Sequence, residues 1–239
     1  MLQVSANFAP PPEQTQELTV RGTVLPGDLS CEMRLPLAVA RKLPAGAMRD
    51  DVPDFRLERR EQSVSLFDAD PAKAHLIWQG REDRSALTWL RQENGRLRIR
   101  IDVTDDRHVQ PHSGVGVWRG DNVQLAMLLP GQDLTWEIGL TRLKSGNPEV
   151  YLWSAPSGFD PAQIAAQISL KTERKGNLTR YDAEIPLDAL GVKAADLSHG
   201  IRFNMLVNDD DGEGREGWIQ IAPGIGENKD PAKYPMIVF

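Results

Sequence analysis

The chain has 239 residues, 40% hydrophobic and 26% charged, with 28 Lys and Arg against 34 Asp and Glu, a formal net charge of −6. That composition is ordinarily globular and, lacking any Lys/Arg-rich run, excludes nucleic acid or an anionic membrane as a charge-read partner. The single Cys31 excludes an intrachain disulfide and a thiolate zinc cluster, and no apolar run is long enough to span a bilayer.

In chain order, "SANFAPPPEQTQ" reads as a Pro-rich linker or tail, and "ELTVRGTVLPGDLSCEMRLPLAV" as short strands broken by Gly and Pro. "ARKLPAGAMRDDVPDF" is irregular, and a boundary is expected there. Residues 1–50 are then a β-rich leader, a linker or the end of a preceding domain, and residues 51–239 one β domain.

From that point the signal is strand. "GRLRIRIDVTDD" sets Leu97, Ile99, Ile101 and Val103 against Arg98, Arg100 and Asp102. "NVQLAMLL" alternates Val123, Leu125 and Met127 with Gln124 and Ala126. "LTWEIGLTRL" puts Trp136, Ile138 and Leu140 on one face and Glu137, Gly139 and Thr141 on the other. "QISLKTERKGNLTRYDAEIPL" predicts a hairpin at Gly176-Asn177 with Tyr181, Ala183 and Ile185 inward. "GIRFNMLVNDDDG" alternates Ile201, Phe203, Met205 and Val207; "EVYLW", "GWIQIAP" and "YPMIVF" are shorter strands. Helix is expected only from Asp160 in "DPAQIAAQI" and for one turn of "PLDAL" before Gly191. Many short strands without a βαβ rhythm predict an all-β fold, an antiparallel β-sandwich of jelly-roll or immunoglobulin-like type with one or two short helices.

Catalytic signatures are missing: there is no G-x-S-x-G, P-loop, G-x-G-x-x-G or H-E-x-x-H. His108 and His112 flank Gln110-Pro111 in a loop and read as polar loop residues rather than a metal pair. The acidic run "NDDDGEGREG", Asn208–Gly217, offers Asp209, Asp210 and Asp211 as oxygen ligands of the kind calcium takes, although an acidic hairpin loop needs no ion. The polar face carrying Gln124, Glu137, Gly139 and Thr141 is either a solvated exterior or the floor of a shallow site for a hydroxyl-rich ligand. Trp118, next to the turn-like Arg119-Gly120-Asp121, is either a core side chain or a flat platform beside that floor. Trp136 is assigned to the core. Trp78, Trp89, Trp153 and Trp218 are assigned to core or strand-edge packing.

The ordered segments "IWQGREDRSALTWL", "LRIRIDVTDDRHVQ", "VWRGDNVQLAM", "YDAEIPLDALG" and "GIRFNMLVNDDDGEGREGWIQIAPGIGENKDPAKY" together resemble the family 9 carbohydrate-binding modules over about residues 53–239. The resemblance implies a β-sandwich, sugar held between two tryptophans, and structural calcium. It implies a non-catalytic module of a larger secreted bacterial polysaccharide-active protein, with a poly- or oligosaccharide and the other domains of the same parent chain as partners. By position, Trp118 matches the first tryptophan, Gln124 a sugar-binding Glu, Glu137 a sugar-binding Arg, and Asn228 stands where the second tryptophan would be. With no basic segment and apolar stretch after Met1, the chain is expected to be either cytoplasmic or a mature or excised piece of a longer exported protein; the resemblance implies the second, extracellular or periplasmic. The alternatives are a structural or docking sandwich with a degenerate sugar site and, third, a hydrolase or lyase in its own right.

Overall fold

Alternating apolar side chains line the inner faces of two stacked sheets. The computed structural model describes residues 16–24, 29–37, 40–44 and 46–239, the first two segments as backbone strands only; most of the Pro-rich stretch read as a linker lies outside them. β1 (Gln16–Val24) and β2 (Leu29–Leu37) form a two-stranded antiparallel sheet. A five-stranded sheet runs β11 (Ser169–Lys175), β12 (Leu178–Pro186), β7 (Arg96–Asp105), β6 (Arg84–Glu93), β4 (Phe55–Leu57). The large sheet has eight strands. Six lie in the order β10 (Pro148–Ser154), β9 (Trp136–Arg142), β8 (Val123–Leu128), β13 (Ile201–Asp209), β14 (Gly217–Gln220), β5 (Ser63–Ser65). β15 (Met236–Val238) pairs with β13, and β3 (Ala40–Lys42) pairs parallel with β15; the other pairings in both large sheets are antiparallel.

The predicted inward residues form the core. Leu97, Ile99 and Ile101 on β7, Val123, Leu125 and Met127 on β8, Trp136, Ile138 and Leu140 on β9, and Phe203 and Met205 on β13 are all buried in one cluster. Each such side chain contributes roughly 1.5–3 kcal/mol by leaving water. The result is an all-β sandwich. The hairpin expected at Gly176-Asn177 joins β11 to β12, with Gly176 at φ +60° in the first central position of a II′-type turn. Asn94-Gly95, both at positive φ, turn β6 into β7 in the I′ manner.

Helix is as scarce as expected. α1 is Pro161–Ala165, capped by the Asp160 carboxylate on the Ala162 amide; the "PLDAL" segment makes hydrogen-bonded turns rather than a helix. No helix among the described residues is long and apolar enough to cross a membrane.

Residues on both sides of position 50 are joined to the sandwich. Leu43 is buried in its core and donates its amide to the Val238 carbonyl. The Trp89 indole donates to the Arg49 carbonyl, and Arg91 donates to the Gly46 carbonyl while pairing with Asp54 at 2.7 Å. The buried Trp89 therefore lies under this segment and outside the inter-sheet core.

Candidate functional site

The outward face of the large sheet is not a solvated exterior. Gln124, Glu137, Thr141, Asn122 and Asn208 all point to it and are all buried. Two features cover it. The segment 221–235 folds back over Trp218, which with Ala126, Leu206, Ile225 and Tyr234 makes a second, smaller apolar cluster. At the other side the six-membered ring of Trp153 packs on Gly139: a Cβ there would come within 2.5 Å of the indole. An otherwise strand-forming run interrupted by glycine marks this close approach.

A short 3₁₀ helix, Gly114–Arg119, forms the rim. Its Gly114 amide donates to the Glu149 carboxylate, and its Val115 carbonyl accepts the Trp153 indole N–H at 3.0 Å. Trp153 in turn meets Tyr151 edge to face, with ring centroids 5.5 Å apart. Trp118, on the same rim, is 36% exposed while neighbouring Val117 is fully buried. Trp118 is thus held out at the mouth of the polar face. Two guanidiniums attend it: Arg119 at 5.4 Å and Arg215 at 5.5 Å from the ring centroid. Arg215 also stacks on Trp218 at 4.3 Å and donates through Nε to Asn208. Burial lowers the Arg215 pKa to about 10, with the nearby Arg84 charge acting in the same direction.

Among the residues singled out from sequence, Gln124 lies on the floor opposite Gly139, the glycine Trp153 covers. Its amide has no hydrogen-bond partner among the described residues, yet its polar atoms are not sealed from solvent. Glu137 lies on the same floor and accepts a 2.5 Å ion pair from Lys229. Asn228, next to that lysine, is exposed on the covering segment. The structure therefore brings Gln124 and Glu137 onto one face, with Trp118 on its rim and Asn228 in its cover. It adds Trp153 and Arg215. Trp153, expected in core or strand-edge packing, packs half-buried from the edge strand β10 onto the polar face at Gly139.

The acidic run gathers at one end of the sandwich. Asp209 and Asp211 place carboxylate oxygens within 4.8 Å of each other and of Asp105, and Asp211 does the same with Asp83 and Asp106. Asp210 is used differently: its Oδ1 accepts the Gly212 and Gly214 amides and shapes the loop. Asp209 is ion-paired to the buried Arg84. Burial, and then neighbouring carboxylates, push Asp211 up to about 6. Glu216 is pushed up to about 7, chiefly by burial. Burial also holds Asp209 and Asp121 well above the usual carboxylate range, outweighing the Arg84 charge beside Asp209. One Asp211 oxygen is buried without a partner. An all-oxygen set of converging carboxylates that resist joint ionisation is the donor chemistry of a hard divalent cation such as calcium. His108 borders the cluster, with Nδ1 3.4 Å from Asp121 and Nε2 donating to the Arg142 carbonyl.

The two-sheet sandwich defines the class: the chain has the fold of the family 9 carbohydrate-binding modules. A family 9 module from Caldicellulosiruptor kristjanssonii in complex with cellotriose aligns with a TM-score of 0.54 and 14% identity, over 84% of this chain and 92% of that one. In complex with glucose, the Caldicellulosiruptor kristjanssonii family 9 structure gives 0.52 and 14%, over 84% and 95%. A proposed carbohydrate-binding protein from Bacteroides uniformis gives 0.55 and 11%, over 84% and 97%. At these identities the likeness is one of fold. The chain matches no protein-family profile and no curated protein sequence.

Proposed function

We propose that the chain is a non-catalytic carbohydrate-binding module that takes a poly- or oligosaccharide on the outer face of its large sheet. The observation that carries this is Trp118. Its indole stands out of the core beside a floor whose Gln124 amide has hydrogen-bonding capacity unspent within the protein. A sugar offers an apolar C–H face to such a ring and hydroxyls to such amides. Glu137 and Asn228 are further hydrogen-bonding candidates, and Trp153, packed over Gly139, is a second aromatic side chain on this face. The complexes of the Caldicellulosiruptor module with cellotriose and glucose support the reading. The carboxylates on the strands of this face are Glu137 and Glu149, held by Lys229 and by the Gly114 amide. Glycoside hydrolysis needs two carboxylates poised across a sugar, so binding suits this face better than turnover.

The wider reading is an accessory domain of a larger secreted protein acting on polysaccharide. Calcium in the acidic cluster completes it, held by Asp105, Asp209 and Asp211 with Asp83 and Asp106 alongside. Its part is structural: it would let carboxylates crowded by burial ionise together.

A glycan array with the whole chain tests the function. Binding of a restricted set of oligosaccharides, at roughly micromolar to millimolar affinity, is expected. An array without a hit would favour the second reading, a structural or docking sandwich; the exposed Asn228 in place of a tryptophan is the observation on its side.

A further inference from the structure

Guanidiniums in this acid-rich chain are commonly answered by carboxylates: Arg84 by Asp209, Arg91 by Asp54, Arg174 by Asp105 and Arg180 by Asp102. Arg119 and Arg215 both lie against the Trp118 ring, and neither forms an ion pair among the described residues. Arg96, Arg107 and Arg142 also lack a salt bridge among the described residues, and what sets Arg119 and Arg215 apart is their place at Trp118. Arg119 is exposed. Arg215 is half-buried and fixed by Asn208 through Nε and by Trp218 through its face. Its two Nη groups make no hydrogen bond among the described residues and are not sealed from solvent. Lys229, on the segment that covers the face, is already paired with Glu137. A rigid, partly desolvated guanidinium with free Nη donors is suited to an oxyanion, because its fork is pre-organised and little rotamer entropy remains to be lost.

We propose that the sugar taken by this face carries an anionic group, a uronate carboxylate or a sulfate ester, received by Arg215 and Arg119 while the sugar ring lies on Trp118. This rests on the sugar-binding reading above and names the class of sugar.

The test is calorimetric titration of the whole chain with four probes: an oligogalacturonate, its methyl ester, a sulfated galactan oligosaccharide and its desulfated counterpart. At least one anionic probe should bind about tenfold or more tightly than its neutral partner. Raising salt from about 0.05 to about 0.5 M should erode that advantage. Which probe shows it separates carboxylate from sulfate. Arg119→Gln, and Arg215→Lys as a variant that keeps the packing and charge but not the fork, should each reduce the anionic-to-neutral ratio. If neutral probes bind as tightly as anionic ones, or the ratio survives both substitutions, the anionic class is wrong while sugar binding stands. If no sugar of any charge binds, both readings fall.

Discussion

Trp118 and Trp153 are tied to one short 3₁₀ turn, the first as a member of it and the second through a hydrogen bond to its Val115 carbonyl. Their different exposure follows from where each ring finds cover. Trp153 finds it on Gly139. Replacing that glycine with alanine would set a methyl group 2.5 Å from the indole, so the ring must tilt and strain its bond to Val115. Gly139→Ala is expected to cost about 1–3 kcal/mol in a denaturant melt, to shift tryptophan fluorescence, and to weaken sugar binding by moving the floor beside Gln124. Unchanged stability and affinity would mean that Trp153 adapts freely and is no part of the site. The sequence marks the Gly139 position but not its partner, because the closeness of Trp153 is set by pairing across β9 and β10. In the acidic run, likewise, spacing cannot reveal that Asp210 turns back to its own loop while Asp105, a hundred residues earlier, joins Asp209 and Asp211.

At the scale of elements, period-two alternation made most of the sandwich legible. β7, β8, β9, β12 and β13 each bury the residues their pattern predicts, since one apolar face decides the register. Leu125→Ala, in the centre of β8, is expected to cost about 2–5 kcal/mol by the same denaturant measurement, because a fully buried side chain would leave a cavity. What alternation could not show was the burial of the polar face, which depends on the fold-back of segment 221–235. Nor could it show that an irregular stretch around Pro44, Gly46 and Pro53 is packed. β3, Leu43 and the carbonyls of Gly46 and Arg49 all serve the sandwich. A chain starting at residue 51 is therefore expected to melt well below one starting at residue 40. Equal melting temperatures would show that these contacts contribute little.

For the whole molecule, the acidic cluster is expected to link stability to pH and, if the proposed ion binds there, to calcium. Asp211 rises from 3.8 to about 6 and Glu216 from 4.5 to about 7 on folding. A carboxyl with a raised folded pKa favours the folded state while both states are protonated, and that contribution is lost as pH rises through the folded value. In chelator, stability from these two groups should fall between about pH 4 and about pH 7. Calcium should reverse the loss, raising the melting temperature more at neutral than at acid pH by binding the ionised, folded form. A melting temperature indifferent to calcium at neutral pH would remove the ion from the account.

The central claim is that a sugar lies on Trp118, and calorimetric titration of Trp118→Ala against the parent chain with a binding oligosaccharide tests it most directly. The side chain is 36% exposed, so its loss should leave the melting temperature within about 2–4 °C while weakening binding about tenfold or more. An affinity equal to that of the parent chain, in a variant that folds normally, would contradict the claim.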